Sequence, residues 1–551
     1  MFEQFDEHMH AGPTGKNLHI RATGKFYTPQ VIASELVDQV VALTSTKTNG
    51  SIRVIDPFCG DGRLVVQLVR AMACHRKRIS WDIALWDCDT KAVLVAAEAV
   101  QRAIRESGHK GKVTPAAVDS FQNAQSAFNG FDIVITNPPW ETIKPDRREL
   151  EYLPSSRRAA YTKTLRARDQ QIAHLFPLSQ PARKFSGWGT NLARVGTEIA
   201  LRLCRREGGI CGLVSPASLL GDQVSRNLRE WLFSAYNVEA ISFFPAEGRF
   251  FDGVDQPVIT MVAQRHDRPT THTGFRIFDG AGALLGARTL DTSRSALAAC
   301  HYTMPIQFGP GAVDALANLR GLPVFGDLEG SSAADLWAGR ELDETGRARY
   351  LTTSGAIRFA KGKMVTRYAT SATPKVFVDI KAIRIPTSVS HLRIGWRDVS
   401  RPNQKRRMHA SLIPQNWAAG NSLHVAYFRD DDHDRLLALL VVLNSMVCEF
   451  QIRARLATAH ISLGVVRQSH LPHLTSNKMT KLLASLARRC LDGDDAAHAS
   501  AEVAVARAYG LGRASFGRIL ELFPKLNAEE KELMLAPTIW SRQFKGATQV
   551  R

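Results

Sequence analysis

Residues 51–62 read Ser51-Ile52-Arg53-Val54-Ile55-Asp56-Pro57-Phe58-Cys59-Gly60-Asp61-Gly62. A short β-rich run ends in an acid and a glycine loop follows. From Arg63 the apolar positions Leu64, Val65, Leu68, Val69 and Met72 then recur at helical spacing. Strand, glycine loop and helix open a βαβ unit, and the pattern repeats outward. Trp81 to Asp87 reads as a second strand, and Ala92, Val93, Ala96, Ala97, Val100 and Ile104 form a helix face. Lys112 to Asp119 and Phe131 to Thr136 supply two more strands. Strands separated by helices predict right-handed parallel crossovers, hence an α/β fold with a mostly parallel sheet covered on both faces. Ligands in such sheets bind at the carboxyl ends of the strands.

Those ends carry the chemistry. Gly60 and Gly62 let the backbone approach a ligand, and the helix after them offers N–H groups to an anionic end; by itself the loop reads equally well as a tight turn. The full GxGxxG of dinucleotide enzymes is absent, and GPTGKN at 12–17 lacks P-loop spacing. The second strand ends in Asp87, near the offset at which an acid accepts hydrogen bonds from a ribose diol, and the third ends in Asp119, followed by Phe121. Three successive strands thus terminate in acids, which predicts a nucleoside-binding cleft.

The fourth strand runs into Asn137-Pro138-Pro139-Trp140. Two prolines force a rigid, extended corner. It can present the Asn137 amide oxygen and the Pro138 carbonyl as two acceptors for one planar amino group. Two acceptors drawing on both N–H bonds favour a tetrahedral nitrogen, whose lone pair can attack a methyl group held in line. Trp140 offers a flat face on which a flipped purine could stack.

Composition fits this direction. The 551 residues contain 71 Lys plus Arg against 52 Asp plus Glu, a net charge of +19, with 44% hydrophobic residues. That excess favours a polyanionic partner, nucleic acid first. No apolar run reaches the ~18 residues of a membrane span, and the start lacks secretory-signal order, so a cytoplasmic protein is expected. Eight cysteines are scattered without zinc spacing, which predicts reduced thiols and no structural metal.

This set of motifs resembles the S-adenosylmethionine-dependent DNA methyltransferases that modify adenine N6, of the type I and type IIG restriction-modification group. Gly24-Lys25-Phe26-Tyr27-Thr28-Pro29 is similar to the family's N-terminal cofactor segment. The resemblance implies a cofactor site of Tyr27, Thr28, Pro29, Asp56, Phe58, Gly60, Gly62, Asp87, Asp119, Phe121 and Asn137. In it Thr28 and Asp56 hold the methionine end of S-adenosyl-L-methionine, Asp87 the ribose hydroxyls and Asp119 the adenine amine. Phe121 is a hydrophobic wall. Catalysis falls to Asn137, Pro138, Pro139 and Trp140. Gly248-Arg249-Phe250-Phe251-Asp252-Gly253 is similar to the loop whose aromatic contacts the extruded adenine, with Phe251 preferred and Phe250 the competitor. The family usually has Ala and Ser where this chain has Phe58 and Asp61, and Asp61 adds a negative charge to a loop expected to face a carboxylate.

The chain divides, on this reading, into a catalytic domain at 1–265 with a basic insertion at 141–186, an α+β target-recognition domain at 266–475 and a helical tail at 476–551. Double-stranded DNA is the expected partner. The insertion supplies Arg147, Arg148, Arg157, Arg158, Lys163, Arg166 and Arg168, which read as a cover for the target strand or as a solvated helix face. A second basic stretch, 381–407, holds eight Lys or Arg against one acid, with His391, Trp396 and Asn403 interleaved. Arg393, Arg397, Lys405, Arg406 and Arg407 are its DNA-binding candidates. Only about 24 residues precede the cofactor segment, too few for a nuclease domain. The expected protein is a modification enzyme, with any restriction endonuclease encoded separately. Two alternatives stay open: an Asn-Pro-Pro enzyme acting on RNA or a protein glutamine, and a weakly active DNA-binding defence component.

Overall fold

The computed structural model describes residues 27–541 apart from 45–50, 76–78, 146–149, 151–152, 181–189, 255, 267, 269, 299–301, 305–314, 317, 320, 331–334, 372, 402–403, 457–458 and 476. Arg147, Arg148 and Asn403 therefore lie outside the described residues. The chain forms two compact units, 1–306 and 307–551.

In the first unit, α1 (Gln30–Leu43) precedes β1 (Ser51–Asp56), α2 (Arg63–His75), β2 (Ser80–Asp87), α3 (Thr90–Glu106), β3 (Lys110–Ala117) and a one-turn α4 (Ser120–Asn123). Then come β4 (Ile133–Thr136), α5 (Ser155–Leu175), α6 (Leu192–Leu203), β5 (Ile210–Pro216), α7 (Arg226–Ala235), β6 (Tyr236–Phe244) and β7 (Val258–Arg265). A hairpin of β8 (His272–Phe278) and β9 (Leu284–Asp291) completes one sheet of order β3-β2-β1-β4-β5-β7-β6-β8-β9. The strands from β3 to β5 are parallel, whereas β7 is antiparallel to both β5 and β6.

The helices sit where their apolar periodicity demands. Leu64, Val65, Leu68, Val69 and Met72 of α2 are buried in one core with Val93, Ala96, Val100 and Ile104 of α3 and the strand residues Val54, Ile83 and Ile135. Asp89 caps α3, accepting from the Lys91 and Ala92 backbone N–H groups. Pro115 is tolerated because, among the described residues, β3 is an edge strand bonded to β2 alone.

The first unit continues past residue 265, where the sequence pattern closes it. β8 pairs in parallel with β6, from Ala240 opposite Gly274 to Phe243 opposite Ile277. Seven of the eight residues of β9 are exposed, so its strand carries no apolar alternation to reveal it.

Among the described residues the second unit contains two four-stranded sheets and one two-stranded sheet. One sheet orders Leu336–Gly339, Leu423–Phe428, Arg393–Arg397 and Ala410–Ile413 side by side. Its inner residues Ile394, Trp396 and Ala426 share a core with Leu436 to Val447 and with Leu483, Ala484, Ala487 and Phe516. Residues 478–541 thus complete the core of this unit, where the sequence pattern sets 476–551 apart as a tail. No single helix among the described residues is long and apolar enough to cross a membrane.

Candidate active site

The order of the sheet reverses direction at β1, whose neighbours are β2 on one side and β4 on the other. A crevice opens at such a switch point, beyond the carboxyl ends. Asp56 closes β1 there, 1% exposed. Its carboxylate accepts from the Phe58 N–H at 3.1 Å and from the Thr136 hydroxyl at 2.6 Å. The second bond joins the ends of β1 and β4, bringing Asp56 beside the Asn137 corner.

Burial pushes the Asp56 carboxyl up to about 7, against the lowering effect of those two hydrogen bonds; Asp87 and Asp61 add to the rise. An acid held protonated in the fold but ionised in the unfolded chain makes stability fall as pH rises from the ordinary carboxylate range, roughly 4, towards 7.

The glycine loop folds onto Asp87. The Gly60 N–H donates to its carboxylate at 3.0 Å, and the Asp89 N–H donates to the other oxygen at 2.9 Å. Gly60 and Gly62 have φ of +48° and +76°. A side chain at Gly62 would strike Ala96 Cβ at 2.9 Å, while the space over Gly60 is open. At the third strand end Asp119 accepts from the Phe121 N–H at 3.0 Å, and the Phe58 and Phe121 rings lie 5.1 Å apart. The crevice thus has an open glycine cradle, three carboxylates with spare acceptors and an apolar wall. These groups fit S-adenosylmethionine, whose ammonium, ribose diol and adenine amine all donate.

Asp61 has a partner that the sequence reading did not supply. Arg63 meets its charge at 3.1 Å, donates to the Thr28 carbonyl at 3.0 Å and lies 5.6 Å from the Tyr27 ring centroid. One guanidinium thereby holds the Tyr27-Thr28-Pro29 turn against the glycine loop. Tyr27 itself is 52% exposed.

Asn137 is fixed at both ends of its amide. Its Nδ2 donates to Thr28 Oγ1 at 3.2 Å, and the Trp140 indole N–H donates to its Oδ1 at 3.1 Å. The indole nitrogen can only donate, which dictates which end of the amide faces it. Oδ1 keeps one lone pair, and no hydrogen bond reaches the Pro138 carbonyl among the described residues. Two acceptors of a rigid corner therefore remain. Phe251, 3% exposed, meets Trp140 edge to face at 4.8 Å, whereas Phe250 packs on Phe244 at 5.4 Å.

Gly196 was not legible in the sequence. It lies in α6, and a Cβ there would stand 2.3 Å from Pro138 Cβ and 3.2 Å from Phe58 Cε2. The missing side chain is what lets this helix support the diproline corner from below.

The basic candidates separate. In the insertion, Arg157, Arg158, Lys163 and Arg166 are exposed on α5, while Arg168 reaches Asp119 at 3.1 Å. In the second unit most candidates are internal. Arg393 and Glu341 form an ion pair at 2.8 Å with both side chains fully buried. Arg406 pairs with Glu502 at 2.8 Å and Arg407, 1% exposed, donates to the Ser400 carbonyl. Arg397 is half-buried against the Val365 carbonyl. Burial of a guanidinium demands such partners, and Arg393, Arg406 and Arg407 have theirs inside this unit. Trp396 is also buried, and His391 stacks on Tyr427. Lys381, Arg384, Arg401 and Lys405 are exposed, Lys405 beside Glu530.

A parallel sheet with an inserted antiparallel β7, and a glycine loop and acids at its carboxyl edge, defines the fold of S-adenosylmethionine-dependent methyltransferases. Within that class, residues 16–167 match the family model described as N-6 DNA Methylase. Among solved structures the chain is similar to the Type IIL restriction-modification enzyme MmeI in complex with DNA, with a TM-score of 0.57 and 12% identity over 94% of this chain and 79% of that one. It is also similar to a nuclease-deletion mutant of the Type ISP restriction-modification enzyme LlaGI with a DNA substrate mimic, at 0.51 and 11%, covering 88% and 57%. A chain of a type I R-M system matches at a TM-score of 0.33 and 16% identity over 47% of this chain, which spans 46% of its length. At these identities the likeness is one of fold.

Proposed function

We propose that the protein is a site-specific DNA adenine-N6 methyltransferase, the modification part of a restriction-modification or phage-defence system. The observation that carries this reading is the Asn137 amide clamped between Thr28 and Trp140, with Asp56 tied alongside through Thr136. The cofactor supplies an electrophilic methyl group on a sulfonium. Asn137 Oδ1 and the Pro138 carbonyl draw on the two N–H bonds of the target amine. With the cofactor held by Asp56 and Asp87, the lone pair of the nitrogen gripped by this corner would take the methyl group as the S–C electrons stay with the departing thioether, and the extra proton on nitrogen would leave to solvent. The target adenine stacks on Trp140. To lie between Trp140 and Phe251 a base needs roughly 7 Å, twice its stacking rise, so the two rings part as it enters.

The match to N-6 DNA methylases and the DNA in the MmeI and LlaGI structures support DNA as substrate. The exposed cations of α5 suit its phosphates, and the second unit is the candidate reader of the recognition sequence. Transfer of tritiated methyl to unmethylated plasmid DNA, RNA and protein extract, followed by modification-detecting sequencing, tests the assignment. Label in DNA as N6-methyladenine at one motif is expected; label confined to RNA or protein overturns it.

Asp56 gives the cofactor site a pH dependence. The methionine ammonium needs a carboxylate beside it, and burial pushes that carboxyl up to about 7. Affinity for S-adenosylhomocysteine should rise about tenfold between pH 6 and 7.5, with proton release on binding at pH 6. Titration calorimetry in buffers of different ionisation enthalpy measures both. An affinity flat over that range would remove Asp56 from the ammonium.

A further inference from the structure

Asp119 lies two residues past β3, caps α4 and is reached from far along the chain. Its Oδ1 accepts the Phe121 N–H at 3.0 Å, while its Oδ2 takes Arg168 NH2 at 3.1 Å and Gln122 Nε2 at 3.4 Å. An ionised carboxylate has about four acceptor positions, and these bonds use three. Among the described residues one is left over, which matches a single N–H of an exocyclic amine. Arg168 comes from α5, the helix after the catalytic corner. That helix is polar nearly all round, with Asp169 and Ile172 its buried residues. Asp169 accepts the Thr190 N–H at 3.1 Å, anchoring the turn that carries Arg168.

The Arg168 side chain is partly buried against Asp119. Its Nε is buried with no hydrogen-bond partner among the described residues. A surface ion pair has no need of such a placement. A group that orients a carboxylate at a ligand site does.

We infer that Arg168 is a positioning residue for the cofactor's adenine: it holds one oxygen of Asp119 so that the remaining acceptor is presented to the adenine amine. The inference rests on the reading of Asp119 given above. It also makes the helix whose exposed cations are proposed to meet DNA part of the cofactor site, so cofactor recognition and helix placement share one side chain.

The test compares S-adenosylhomocysteine with S-inosylhomocysteine, which carries a carbonyl where adenine has its amine, by equilibrium binding to the full chain. Arg168→Ala should weaken S-adenosylhomocysteine about tenfold and change the inosine analogue less than twofold, and Arg168→Lys should recover part of the loss. A merely structural role moves both ligands together, and equal losses, or none, overturn the inference. Asp119→Ala run in parallel separates the two layers. If it leaves both affinities unchanged, the assignment of Asp119 to the amine fails and the inference falls with it. If Asp119→Ala shows the amine-dependent loss and Arg168→Ala does not, only the role of Arg168 is lost.

Discussion

Replacing Asn137 by Ala is expected to lower kcat for methyl transfer by about 10³-fold, roughly 4 kcal/mol in the barrier, with the affinity for S-adenosylhomocysteine kept within about threefold. The prediction follows from where the amide sits. Its nitrogen end is satisfied by Thr28 and its oxygen end is aimed by Trp140, leaving one lone pair for a substrate N–H. Alanine removes that acceptor and leaves the glycine loop, Asp56 and Asp87 untouched. Thr28→Val should show a smaller loss, about tenfold, because the indole bond still orients the amide; Thr28→Ser should restore the rate. Single-turnover kinetics on cognate DNA, beside equilibrium binding, measures both quantities. Cofactor affinity falling in step with kcat would place Asn137 at the cofactor and not at the base.

Gly196→Ala should cost about 10²-fold in kcat although the residue touches neither substrate nor cofactor. A Cβ at this position would overlap Pro138 Cβ at 2.3 Å, and a proline ring cannot rotate aside. Either α6 retreats or the corner moves, and a displacement of about 1 Å in a reacting group costs a factor of this size. Overpacking of a tight contact also destabilises by roughly 1–3 kcal/mol, offset in part by the better helix propensity of alanine, about 1 kcal/mol. The variant is therefore expected to fold, with a modest drop in Tm and a large drop in rate. Phe58 also lies within 3.2 Å of the added atom, so a weaker cofactor affinity should accompany the loss. Wild-type kcat in a folded Gly196→Ala variant would show that the corner tolerates displacement, against the rigidity argued for it.

Part of this site is written locally. A strand ending in an acid, a glycine loop and a periodic helix are each properties of fewer than twenty consecutive residues, and Asp56, Asp87 and Asp119 follow from reading strand ends in order. The Asn-Pro-Pro-Trp corner is local too, since proline fixes its own φ and restricts the residue before it. Charge was legible only as a sum. Counting Lys and Arg over 381–407 could not separate Arg393, fully buried on Glu341, from Arg384, which is exposed, because partner acids come from distant segments. Strand β9 escaped for the converse reason: an exposed edge strand has no apolar face to betray it.

The sequence by itself determined the α/β order, the acids at the carboxyl edge and the two-acceptor corner, because short-range periodicity and backbone restriction specify them. Only the tertiary structure decided that Thr28 and Trp140 clamp Asn137, that Arg63 answers Asp61, that Gly196 makes room for Pro138 and that Arg168 grips Asp119. All but two of these contacts join residues far apart in the chain. The exceptions, Trp140 with Asn137 and Arg63 with Asp61, depend on rotamers that the surrounding packing selects.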